Sequence, residues 1–149
     1  MKKKLQLQTV IYIKNDLSRD IGELQKDIIK YVNTEKKVDN FLVKLDKSEK
    51  QLIVIKEAIQ KANRDKHKDG KTNNYYIYQL SNLNAKRVMI EEILQKHDSK
   101  SSQMSEEELK EELTTILSEI ERINSSLRAF NSNHKITVDL DESLNLLNE

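Results

Sequence analysis

Apolar residues recur at every seventh position from Val10 through Leu17, Leu24, Tyr31, Val38, Leu45 and Leu52 to Ile59 without a miss. This is the seam of a long helix at the coiled-coil period. The companion row, Ile13, Asp20, Asp27, Thr34, Phe41, Ser48, Ile55 and Ala62, is polar in its middle. Between Leu17 and Leu45 the apolar partner moves one position on, to Ile21, Ile28 and Leu42, which widens the stripe and favours a bundle over a strict two-stranded coil. The pattern predicts a long N-terminal helix, or a helix pair, over residues 6–63. Asn33 or Thr34 could cap a second helix, but neither Gly nor Pro enforces a stop and the register runs straight across. A continuous or gently kinked rod of about 80 Å is therefore expected.

Two further stretches carry helical spacing. Tyr76, Leu80, Leu83, Ile90 and Leu94 predict a helix over 74–97, and Leu109, Leu113, Ile116, Ile120, Ile123, Leu127 and Phe130 predict one over 105–131. Ser105 with Glu108 three residues later is a capping box, and Glu106 to Glu108 sit where the helix dipole favours negative charge. Before the 74–97 helix the chain reverses through a polar stretch centred on Asp69-Gly70, where glycine can take positive φ. In the tail, 132–149, Lys135 to Leu140 alternates polar and apolar, as a short strand or an extended arm would. The fold class expected is all-α: a single elongated, coiled-coil-like helical bundle spanning 1–149, with a short extended C-terminal tail.

Composition sharpens this picture. Hydrophobic residues make up 36% and charged residues 34%, too polar for a thick interior, and proline is absent from all 149 residues. The absence of cysteine excludes disulfides, thiolate catalysis and cysteine-ligated metal. No long apolar run exists, Lys2-Lys3-Lys4 is followed by Leu5-Gln6-Leu7-Gln8 rather than a signal-peptide core, and acids interleave with lysines on the first helix. A soluble cytoplasmic protein without membrane contact is the expectation. Residues 100–149 carry five Lys/Arg against eleven Asp/Glu, so a net charge of +1 hides a basic first part at +7. Basic helices packing beside an acidic one explain that split more simply than a nucleic-acid patch.

A seam of this length is expected to find a copy of itself, with Leu17, Leu24, Tyr31, Val38, Leu45, Leu52 and Ile59 as the assembly seam. The second candidate site is the reversal. From Lys61 to Lys71 it holds five basic residues against Asp65 and Asp69, with tyrosines next to it. Arg64, Lys66, His67, Lys68, Lys71, Tyr75, Tyr76 and Tyr78 could hold phosphate or stack a single-stranded base. The simpler reading is a solvated turn whose tyrosines pack on neighbouring helices. His67, His97 and His134 have no second histidine at ligand spacing, no Glu-x-x-His di-metal motif is present, and no serine sits in an elbow motif. No metal, cofactor or catalytic residue is expected.

Asp16-Leu17 with Glu23-Leu24 and Ile28, Ile59 to Asn63 leading to Asp69-Gly70-Lys71-Thr72, the helix through Leu80, Leu83 and Ile90, and Leu127-Arg128-Ala129-Phe130-Asn131 together resemble the septicolysin-like family of small bacterial helical proteins. The resemblance covers about residues 10–135 and implies a helical homo-oligomer rather than a mechanism. The sequence thus points to a non-enzymatic, self-assembling helical protein acting as a scaffold or a macromolecular interaction module. Its rivals are a nucleic-acid or nucleotide binder working through the loop at 61–78, and a phage or mobile-element inhibitor of a host protein.

Overall fold

A computed structural model describes residues 1–34, 38–98 and 103–147. Its elements, in chain order, are β1 (Lys2–Gln6), α1 (Leu7–Tyr31), α2 (Asp39–Ala62), α3 (Asn73–Gln95), α4 (Glu106–Asn133) and β2 (Lys135–Asp139), followed by a 3₁₀ turn at Glu142–Leu144. The protein is mostly helical, as expected, and adds to its helices a small antiparallel two-stranded sheet of β1 and β2 in the register Lys2 with Asp139 through Gln6 with Lys135. The polar-apolar alternation at 135–140 is strand β2. Strand β1 has no counterpart in the sequence reading.

The chain divides into two compact units, one made of Met1–Asn63 with Asn131–Glu149 and the other of Arg64–Phe130. In the first unit the expected rod through residue 62 is instead two helices packed against one another. Helix α1 ends at Tyr31, where Thr34 closes the helix by donating both its amide and its hydroxyl to the Tyr31 carbonyl (3.0 and 2.8 Å). Thr34 thus stops the first helix rather than capping the second. Tyr31 and Phe41 stack across the turn with ring centroids 6.5 Å apart. Residues 35–37 lie outside the described residues.

The seam of sevens is consumed by this arrangement. Val10, Leu17 and Leu24 are buried on α1 together with Leu7, Ile13 and Ile21. On α2 the most buried positions are Ser48, Gln51, Ile55, Ile59 and Ala62, while Leu45 and Leu52 flank them half-buried. Of the seven proposed seam residues, Leu17, Leu24 and Ile59 are thus buried within the chain, while Tyr31, Val38, Leu45 and Leu52 keep part of their surface.

The sheet closes the first unit. Helix α1 starts directly after β1 without a side-chain cap, and the Leu7 amide, an orphan donor of the first turn, donates instead to the His134 carbonyl at 2.7 Å. Strand β2 packs on α2. There the buried Gln51 donates from Nε2 to the Asp139 carbonyl (2.9 Å) and accepts from the Asp141 amide on Oε1 (2.6 Å). In the second unit Ile90 of α3 packs with Leu109 and Ile116 of α4, surrounded by Leu83, Leu94, Leu113 and Ile120. Ser105 caps α4, its hydroxyl accepting from the Glu108 amide at 3.1 Å.

Candidate functional site

The reversal between α2 and α3 is a small, highly bonded hairpin rather than an open turn. Lys66 bridges Thr72, the His67 amide donates to the Lys71 carbonyl at 2.8 Å, and the Gly70 amide donates to the His67 carbonyl at 3.0 Å. Gly70 sits at φ 85°, the left-handed conformation the turn needs, which a side chain would strain. Thr72 then caps α3 by accepting from the Tyr75 amide at 3.1 Å.

Beneath the hairpin, residues read from sequence as a contact surface serve to anchor the loop. His67 lies flat on Phe130, with ring centroids 4.5 Å apart and planes at 11°, and tilts against Tyr76 at 4.7 Å. Its Nε2 stands 2.7 Å from the Oδ1 of the buried Asn73; the amide oxygen is an acceptor, so that nitrogen carries the proton. Tyr76, also buried, donates its hydroxyl to Asp69, whose other oxygen accepts from the Lys71 amide at 3.0 Å. These two donors, the Tyr76 hydroxyl first, hold the Asp69 carboxyl below the usual aspartate range. The same bond, aided by burial, pushes the Tyr76 phenol above its ordinary value, with the Arg122 guanidinium opposing the shift.

The eight candidate contact residues therefore split into two sets. His67 and Tyr76 face inward. Arg64, Lys66, Lys68, Lys71, Tyr75 and Tyr78 are exposed, with Tyr78 at 66% of its full accessibility. Lys71 and Tyr75 are brought together, the ammonium 4.5 Å from the ring centroid, a cation–π contact worth about 0.5–1 kcal/mol at exposed positions. Sequence reasoning missed Asp69, Asn73 and Phe130 as members of the cluster. The Asp-Gly turn was a signal for the first, whereas nothing local marks Phe130 as the platform for a histidine far away in the chain.

Chemically, the arrangement positions cations and aromatic faces on a fixed backbone. The polar groups with acid-base potential are bonded to one another, and among the described residues no cluster of three or more His, Asp or Glu is placed to hold a metal ion. No described helix is long and apolar enough to cross a membrane. In the first unit an open cleft lined by Lys47, Lys50, Gln51, Asp139 and Asp141 lies beside the end of β2, and its central side chain is the Gln51 that secures that strand. The chain has no significant match among family models, curated proteins or solved structures.

Proposed function

We propose that this chain is a non-enzymatic cytoplasmic protein, a coiled-coil-like helical bundle that self-associates and serves as a scaffold or interaction module for other macromolecules. The observation that carries this reading is the division of labour among its side chains. Groups that could do chemistry are tied into structural bonds: His67 to Asn73, Tyr76 to Asp69, and Arg122 to Glu119. Large apolar side chains, by contrast, stand in solvent along α3, where Tyr78, Val88 and Met89 each keep more than half of their accessible surface. Contiguous exposed apolar surface is what contact with another macromolecule consumes.

A second reading, a nucleic-acid contact, is favoured by the Lys71–Tyr75 pair and by the exposure of Tyr78, Arg64, Lys66 and Lys68. Such an anchored, basic, aromatic-flanked edge suits phosphate contact with base stacking. One experiment separates the two: absolute mass by light scattering over a dilution series, with and without a single-stranded oligonucleotide at rising salt. A scaffold shows a concentration-dependent multiple of 17.5 kDa that ignores the oligonucleotide. A nucleic-acid contact shows a mass gain lost with salt, and lost in Lys66→Glu/Lys68→Glu/Lys71→Glu; three fewer phosphate contacts on a single strand would flatten the salt slope by roughly 2. A strict monomer indifferent to the oligonucleotide would defeat both.

A further inference from the structure

Helix α3 stands apart in a chain that is 34% charged: from Asn73 to Ala85 it carries no charged residue. Its inner side buries Tyr76 and Ile90. Its outer side presents Ile77 and Tyr78, then Ser81, then Ala85, then Val88 and Met89, all exposed. At 100° per residue these six fall on one face of the helix, opposite the buried one. Helix α4 differs, since its outward positions carry Glu107, Lys110, Glu111, Glu121 and Arg128. An exposed, uncharged helical face beside an ordinary charged one calls for a partner that is itself uncharged along the contact.

The order of side-chain sizes on this face reads the same in both directions. Taking Leu83 as the centre, Ile77 is as far from it as Met89, Tyr78 as Val88, and Ser81 as Ala85. Bulky pairs lie at both ends, with small residues between them. In an isologous antiparallel contact residue i of one copy meets residue j of the other and j meets i, so Ile77 is set level with Met89, Tyr78 with Val88 and Ser81 with Ala85, and the small residues meet at the middle. Small residues at the middle let two backbones approach to the close end of the usual 8–10 Å helix separation.

Charge beyond the face selects the antiparallel orientation. Glu92, exposed one turn past the apolar patch, makes no ion pair among the described residues. About the same centre it is symmetric with Asn74, in the first turn of α3, where Lys71 and the positive end of the helix dipole lie. An antiparallel pair sets each Glu92 against the other copy's basic helix start, twice. A parallel pair sets Glu92 against Glu92.

We propose that the outer face of α3 is a two-fold interface between two copies of this chain, paired antiparallel about Leu83. The inference rests on the self-association reading above and replaces the α1 seam with a specific surface. A single helical face is small for an interface, so the dimer is of the weak, exchanging class and dissociates in the micromolar range.

The natural absence of cysteine makes the orientation directly readable. Residues 77 and 89 are about 18 Å apart along the helix, too far to bond within one chain or, in an antiparallel pair, to their own counterparts. Under mild oxidation at concentrations that populate the dimer, Ile77→Cys/Met89→Cys is expected to cross-link to a covalent dimer, and each single variant to form no cross-link. Singles that cross-link would overturn the antiparallel pairing. Ala85→Glu, at an exposed position, should keep its helical circular dichroism and lose the concentration-dependent mass. If that variant retains the wild-type mass profile, self-association stands but belongs to another surface, and the α3 proposal falls. If wild-type protein is monomeric throughout, both fall together.

Discussion

Tyr76 and Asp69 bias one another in opposite directions, which turns their hydrogen bond into a pH-dependent contribution with two edges. Asp69 titrates below the usual aspartate range, so its share of stability is present above that range and is lost as pH falls through the lowered value. Tyr76 titrates above the usual tyrosine range, so its share is present below that range and is lost as pH rises through the raised value. Tyr76→Phe removes the second and weakens the first, leaving Asp69 only the Lys71 amide. The stability difference between wild type and Tyr76→Phe, measured by urea unfolding, should form a plateau around neutral pH and shrink at both extremes. A difference independent of pH would show that the hydroxyl contributes only through packing. At this scale the sequence showed the cations, the Asp-Gly turn and Tyr76 at the head of the apolar stripe of its helix. It could not show what the inward tyrosine meets, because His67, Asp69 and Phe130 are brought to it only by the tertiary structure.

Among the elements, β2 depends on one side chain of α2. Gln51 meets the backbone on both sides of Leu140, accepting from Asp141 and donating to Asp139. In Gln51→Leu the Asp139 carbonyl and the Asp141 amide lose these part-buried bonds, each worth about 0.5–1.5 kcal/mol. The urea midpoint should fall accordingly, and amide hydrogen exchange should quicken from Lys135 to Leu140. Unchanged exchange there would mean that the pairing with β1 holds the strand alone. Ser48 was visible in the sequence as a polar member of the companion row, but Gln51 falls in neither row and carried no signal. Its role could not be read, because its partner is backbone almost ninety residues away, and β1 itself is recognisable only through its pairing with the far end of the chain.

For the molecule as a whole, the decisive matter is what covers the seam of sevens. With Leu17 at 3% exposure inside the first unit, Leu17→Asp places an unpaired charge in a packed interior, a loss of about 3–5 kcal/mol against a total stability of about 5–15 kcal/mol. Circular dichroism and urea unfolding should register a large drop in the midpoint or outright loss of helix. A variant that kept full stability and only lost mass in solution would return the seam to a role between copies. The amino-acid sequence by itself determined that the chain is mostly helical, where α3 and α4 lie, that the segment around Gly70 reverses, and that the tail holds an extended stretch. Those properties rest on caps, turn residues and side-chain periods that act within three or four positions. The tertiary structure alone decided that the N-terminal stripe is split into two helices facing one another, that Lys2 pairs with Asp139, that Gln51 is buried for its bonds, and that α3 keeps an uncharged face open. Each of these depends on which distant surface covers which, and an apolar stripe reads the same whether its cover is its own chain or a copy.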